Sequence, residues 1–392
     1  MNDNKNFRLG TLALHAGHTD DPTTHSRAVP IYSTVAYNFE SPQHAADLFA
    51  LKEFGNIYSR LMNPTCDALE QRLAALDGGA AALTFASGMA AITGTICTLV
   101  QEGQNFVSST SLYGGTWTLF TQTLKKFGIE VRFFDPMKPE RIDDLVDENT
   151  RCIYAETIGN PKNDVPDYDG IAAAAHKHKI PAICDNTVAT PYLFRPIEHG
   201  FDVVLYSTTK YIGGHGLHVG GAVVDSGNFK WMDDADRWPQ FCKPDPSYHG
   251  VVLAEALAPI GNIAFIVHMR THWLRDTGGC MSPFAAFLFL VGLETLHVRM
   301  PRHTENAQAV AEWLASHPAV DWVNYPGLPD HPNHDRAAKY LPEGPGAIVG
   351  FGIKGGHDAG VTFIENVKLC SHLANIGDAK TLVIHPASTT HQ

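Results

Sequence analysis

The residues best suited to chemistry are a lysine and an aspartate, each closing an apolar run. Lys210 stands in Ser207-Thr208-Thr209-Lys210-Tyr211-Ile212-Gly213-Gly214-His215-Gly216, directly after the strand-like run 201–206. Asp185 closes the earlier run 180–184, 25 positions upstream. A lysine amine can form a Schiff base with the aldehyde of pyridoxal phosphate (PLP), and a carboxylate can keep the pyridinium nitrogen protonated. The hydroxyls of Ser207 and Thr209 stand where a phosphate could be cradled. On these residues alone a solvated loop lysine is the commoner reading.

Three further turns supply what such a cofactor needs. Ser87-Gly88-Met89 follows an apolar run and opens a helical pattern, so its N–H groups and helix dipole could bind phosphate. A plain N-cap reads the same way. Tyr113, in Ser111-Leu112-Tyr113-Gly114-Gly115-Thr116, could stack on a flat ring while the glycines let the backbone pass close. Asn160, before Pro161, could reach a ring oxygen, although Asn-Pro alone reads as a turn.

These turns need a rigid scaffold, and the chain predicts one. From about residue 65, helical stretches alternate with short apolar strands: helices at 67–76, 116–127 and 169–178, strands at 80–85, 105–108, 130–134, 151–155, 180–184, 201–206 and 221–224. Continuous apolar strands alternating with helices predict an α/β fold, a parallel sheet covered on both faces. In open sheets of this kind ligands bind beyond the carboxyl ends of the strands, where all these turns fall. Residues 1–60 read as an irregular arm broken by Pro22, Pro30 and Pro42. After a boundary near Pro259, a helix at 282–300 that Pro301 should end or kink, a helix at 305–316, a strand at 347–353 and a helix at 361–374 predict a smaller α+β domain.

Composition bounds the rest. At 392 residues and a formal charge of −12, a nucleic-acid surface is not expected. No run reaches the roughly 20 apolar residues of a membrane span, and the polar start 1–6 is not a signal peptide. Seven cysteines without a Cys-x-x-Cys pair, several inside apolar runs, predict reduced thiols in a cytoplasmic protein. His331 and His334, or His215 and His218, lack further partners at ligand spacing, so no metal is expected. Hydrolase and dinucleotide fingerprints are absent.

Taken together these motifs resemble the Cys/Met-metabolism family of PLP enzymes, from Leu14-His15-Ala16-Gly17 to His385-Pro386-Ala387-Ser388-Thr389-Thr390-His391. The resemblance implies the PLP-dependent transferase fold type I: a mostly parallel seven-stranded sheet with helices on both faces, plus a smaller C-terminal domain. It implies an arm over 1–60, a PLP-binding domain over 61–258 and a small domain over 259–392. Lys210 would be the Schiff-base lysine and proton shuttle, and Asp185, with Thr187, the ring-nitrogen partner. Ser87, Gly88, Met89, Ser207 and Thr209 would hold the phosphate, Tyr113 would stack, and Asn160 would contact the 3-oxygen. Tyr58 and Arg60 would reach the phosphate of a neighbouring subunit, implying a dimer with shared sites, assembled as a homotetramer. Asn375 and Ser388 would face substrate.

Within the family, Gly115, Gly213-Gly214-His215-Gly216, Asp245-Pro246-Ser247-Tyr248-His249-Gly250 and Asn375-Ile376-Gly377-Asp378 are similar to the sulfhydrylase branch. This implies γ-replacement on O-acetylhomoserine by sulfide or methanethiol, with cystathionine γ-synthase or methionine γ-lyase activity as the alternative. Two departures stand out. The family runs on past His391 into a tail with an arginine for the substrate carboxylate, so PLP binding with poor substrate affinity is expected of residues 1–392. Leu217 and His218 are bulkier than the usual small polar pair.

Overall fold

A computed structural model of the chain describes residues 7–389; the polar start 1–6 and the closing Thr390, His391 and Gln392 lie outside them. Seven strands form one sheet: β1 (Ala81–Phe85), β2 (Asn105–Ser109), β3 (Glu130–Phe134), β4 (Thr150–Glu156), β5 (Ala182–Asp185), β6 (Val203–Tyr206) and β7 (Gly221–Asp225). Their spatial order is β1-β7-β6-β5-β4-β2-β3. The pairs from β3 through β6 run parallel, and β7 runs antiparallel to both β6 and β1. This is the mostly parallel seven-stranded α/β sheet that the resemblance implies. Central strands read as unbroken apolar runs because both faces are covered: Ile153, Ile183, Val203, Val204 and Val223 are all fully buried.

The covering helices start where their caps dictate. Asn63 accepts from the N–H of Thr65 and opens Pro64–Asp77; Ser87 accepts from the N–H of Ala90 and opens Gly88–Leu99; Asp167 opens Tyr168–Lys177. A further helical stretch, Ala264–His268 continuing to Thr277, has no counterpart in the sequence reading. Phe265 and Met269 bury there in the same core as the sheet. The arm is also partly ordered on its own body. Helix Leu9–His15 buries Leu12 and Ala13, and Ala16 O accepts from Arg72 Nε at 2.8 Å.

Three helix expectations need correction. The 116–127 stretch is helical from Gly114 onward, but Leu119–Thr123 is a π turn and Leu124–Phe127 is 3₁₀. The hydroxyl of Thr121 bonds back to Trp117 O at 2.8 Å, a competitor for the regular ladder. Pro301 does not break its helix. The break falls at Thr295, where Pro283–Glu294 and Leu296–Ser316 bend by 63°, and Pro301 lies inside the second helix. Arg299 explains the position: its guanidinium donates to Gly292 O (2.7 Å) at the end of the first helix and to Tyr211 O (2.7 Å) in the lysine loop. The helix expected at 361–374 is Gly356–Asn366; Val367 turns extended, and Ser371–His372 pairs with Leu382–Val383. The strand expected at 347–353 is β9 (Gly350–Ile353), antiparallel to β8 (Val320–Asn324).

Among the described residues no single helix is long and apolar enough to cross a membrane. All seven cysteines are free thiols. Burial pushes Cys66 up to about 12 and Cys97 to about 11, so both stay protonated at neutral pH.

Candidate active site

Asp185 ends β5 at the middle of the sheet, so its carboxyl group enters the crevice beyond the strand ends. Its Oδ1 accepts from Thr187 N at 3.0 Å and its Oδ2 from the hydroxyl of Tyr154 at 3.3 Å. Burial raises its pKa, and the bonds from Thr187 oppose that rise. Thr187 also ties two loops together, because its Oγ1 accepts from Ser207 N at 2.8 Å.

Lys210 lies in the loop after β6. Its Nζ donates to Asn375 Oδ1 at 2.6 Å, and burial pulls its pKa below the ordinary lysine value. Asn375 is 165 positions away and arrives on a turn docked by Ala379 N donating to Gly214 O at 2.9 Å.

The Ser87–Gly88 turn packs against this loop. A Cβ on Gly88 would stand 2.8 Å from Ser207 Cβ, and one on Gly221, at the start of β7, 2.2 Å from Ser87 O. Only glycine lets these backbones approach so closely. Thr209 closes the same corner, its Oγ1 pairing with the N–H of Gly220 at 2.9 Å. Ser87, Gly88, Ser207 and Thr209 therefore share one corner beside a helix N-terminus, with Met89 in that helix's first turn.

Tyr113 is half-exposed at the start of Gly114–Thr118, and its N–H donates to Glu156 Oε1 at 2.8 Å. Asn160 follows β4 and is partly buried. Tyr58 and Arg60 are exposed on the arm, with the guanidinium 5.3 Å from the tyrosine ring, and the hydrogen bonds of the Lys210–Asp185 group do not reach them. Ser388 is exposed, its Oγ 2.7 Å from His385 Nδ1 and 3.2 Å from His357 Nε2. Leu217 is exposed and lines an open groove with Thr209, His215 and Phe289.

Two residues of the site were missed from sequence. Glu156 is Asp185's neighbour across the β4–β5 pairing; its signal was an acid closing a buried strand. Arg299 had no local signal, since its partners lie 87 and 88 positions away in the lysine loop.

Residues 10–392 match the model of the Cys/Met metabolism PLP-dependent enzyme family. The chain belongs to this family. It is 54% identical to O-acetyl-L-homoserine sulfhydrylase 1 of Thermus thermophilus, over 98% of this chain and 91% of that protein. It is 50% identical to the homocysteine/cysteine synthase of Saccharomyces cerevisiae, over 97% of this chain and 88% of that one. A solved Campylobacter jejuni structure described as O-acetylhomoserine (thiol)-lyase superposes with a TM-score of 0.94 at 44% identity, covering 98% of this chain and 90% of that one. That protein carries an N'-pyridoxyl-lysine-5'-monophosphate.

As a family member the chain is a PLP-dependent enzyme, and its residues fit the cofactor. Asp185 is a partly buried acid whose hydrogen bonds come from neutral donors, which suits a ring nitrogen that carries a proton. The glycine-lined corner at Gly88 and Gly221 lies at the N-terminus of Gly88–Leu99, a helix end that suits an anion.

Proposed function

We propose that this chain catalyses γ-replacement on O-acetylhomoserine, in which sulfide or methanethiol displaces acetate to give homocysteine or methionine. The observation that carries this reading is the 54% identity, over 98% of this chain, with the Thermus thermophilus sulfhydrylase. Gly115 and the Gly213–Gly216 stretch support it.

Bound PLP supplies the electron sink that makes carbanion chemistry at the substrate accessible. The chain's own residues do the rest. Lys210 Nζ holds the cofactor and then moves the proton at the substrate Cα; its lowered pKa leaves more free amine for that work. Asp185 holds the proton on the ring nitrogen, and Thr187 fixes the carboxyl group in place. Ser87, Gly88, Met89, Ser207 and Thr209 hold the phosphate, Tyr113 covers the ring, and Asn160 contacts its 3-oxygen. Asn375 and Ser388 face the substrate, Asn375 from its place on Lys210 Nζ.

The reading extends to assembly. Exposed Tyr58 and Arg60 fit a phosphate contact made in a second copy, in a dimer with shared sites and a homotetramer built from it. Exposed Val35, Phe54, Leu217 and Val219 suit burial in such contacts. We divide the chain at residues 60 and 258 into arm, PLP-binding domain and small domain, and assign it to the cytoplasm on its reduced cysteines.

The test is an assay of purified protein with PLP and O-acetylhomoserine, with and without sulfide. Homocysteine formed only with sulfide is the expected result, and Lys210→Ala should abolish it. Steady-state turnover by that variant would overturn the role of Lys210; elimination without incorporation of sulfide would overturn γ-replacement.

A further inference from the structure

We infer that Glu156 is a positioning residue for this reaction: an uncharged buried acid that anchors the Tyr113 turn and, by staying uncharged, leaves the negative charge of the strand ends on Asp185. The inference rests on the reading of Tyr113 as the group that covers the cofactor ring.

The geometry carries it. Glu156 closes β4 and Asp185 closes β5, and the two are direct partners in a parallel pairing, so their side chains leave the sheet on the same face. Tyr154, two residues before Glu156 and on that same face, reaches Asp185 Oδ2 with its hydroxyl. Glu156 is 6% exposed. Its Oε1 accepts from the backbone N–H of Tyr113 at 2.8 Å, a bond that joins the ring-covering residue to the end of β4. No side chain of Tyr113 makes that connection. The ring instead lies against Gly115, where a Cβ would stand 2.5 Å from Tyr113 Cε1. The Glu156 bond holds the turn at Tyr113 itself; one residue earlier Leu112 is buried, and before it Ser111 donates its N–H to Ser109 Oγ and its hydroxyl to Asp164 Oδ2.

Two acids side by side at these strand ends, Glu156 buried and Asp185 partly so, cannot both ionise cheaply, because each charge loses solvation and they repel. Among the described residues, the titratable groups that interact electrostatically with Glu156 include Asp185 and Cys184 on β5 and Tyr154 on its own strand. Asp185 has the better claim on the charge. It accepts from Thr187 N–H and from Tyr154, and Glu156 from the Tyr113 N–H. Burial first, and Asp185 second, push the Glu156 pKa well up, in agreement with this assignment.

The experiment compares Glu156→Gln, which keeps the acceptor oxygen and lacks charge, with Glu156→Met, which keeps the volume and lacks the acceptor. PLP affinity is read by titrating the visible band of the bound cofactor, and ring packing by the circular dichroism of that band. Glu156→Gln should bind PLP within about threefold of the parent, with the dichroism intact. Glu156→Met should bind at least tenfold more weakly and lose most of the dichroism. In a Tyr113→Ala background the Glu156→Met change should add less than threefold, because the bond it removes would no longer position anything. A tenfold loss in Glu156→Gln would overturn the uncharged assignment. Equal losses for Glu156→Met with and without Tyr113 would overturn the action through Tyr113. If Tyr113→Ala by itself leaves affinity and dichroism unchanged, the fault lies with the reading of Tyr113, not with Glu156. Should Glu156→Met fail to fold, Glu156→Leu and the Gln variant decide the same questions.

Discussion

Gly221→Ala tests the phosphate corner most directly. The new Cβ would stand 2.2 Å from Ser87 O, 2.5 Å from Ser87 C and 2.7 Å from Gly88 N. All three atoms are backbone, so no flexible side chain can swing aside. To reach ordinary van der Waals contact, something must yield by about 1 Å. β7 is held on both edges, by β1 and by β6, and Gly221 is itself the partner of Phe85 in the β1 pairing. The softer element is the Ser87–Gly88 turn, which would move away from Ser207 and carry its N–H groups off the phosphate. Overpacking of this kind costs about 1–3 kcal/mol. If that cost falls on the bound form, PLP affinity drops about 5- to 140-fold at 1.4 kcal/mol per tenfold. The assay is a PLP titration by visible absorbance, with urea unfolding of the same samples. Gly103→Ala is the control: Gly103 has φ +78 and nothing within 4 Å of a Cβ, so it should lose about 1 kcal/mol of stability and no affinity. A folded Gly221→Ala protein that binds PLP within twofold of the parent would refute the placement of phosphate in this corner.

Two further predictions concern groups behind the site. Asp77 is fully buried, accepts from Tyr206 OH at 2.7 Å, and is pushed up to about 7 by burial, against an ordinary value of 3.8. A raised folded-state value means the folded protein keeps a proton that the unfolded chain loses, so stability is full below about pH 4 and falls as pH rises toward 7. At about 1.4 kcal/mol per pKa unit the loss is of the order of 4 kcal/mol. Asp77→Asn should therefore unfold at a urea midpoint that depends less on pH between 4.5 and 8 than the parent's; a stability difference that does not vary with pH would contradict the argument. Arg299→Met removes donors from Tyr211 O, Ile212 O and Gly292 O, and should cost about 2–4 kcal/mol in urea unfolding because buried carbonyls are left without partners. Arg299→Lys should recover less than half of that, since one ammonium cannot span both loops; full recovery would show that charge alone is what matters there.

Much of the fold was legible because its signals are local. Strands buried on both faces are apolar without interruption, as at 203–206, and helices announce their starts with Asn63, Ser87 and Asp167. What was misread depends on distant partners. The bend at Thr295 belongs to Arg299 and to carbonyls of the lysine loop, so a proline six positions on looked like the natural breaker and was not. The helix at 264–277 was hidden by a π turn over Met269–Leu274, which shifts the apolar period. Helix 356–366 stops at Val367 without glycine or proline, so the apolar residues beyond it looked like a continuation.

The same division runs through the site. Lys210, Asp185 and the Ser87–Gly88 turn stand out as candidates because each closes or opens an element, and position at a strand end is visible in one dimension. Their support could not be read. Asn375 meets Lys210 across 165 positions, Arg299 meets the lysine loop across 88, and Glu156 meets Tyr113 across 43. Glu156 makes the point best. Its type and strand-end position match those of Asp185, and the sequence reading names only Asp185. The choice comes from what each carboxyl group receives: Asp185 takes a backbone N–H and a hydroxyl, and Glu156 the single N–H of the turn it holds. Two carboxyl groups at adjacent strand ends are thus given different work by their burial and their hydrogen bonds, one to carry charge and one to carry a loop.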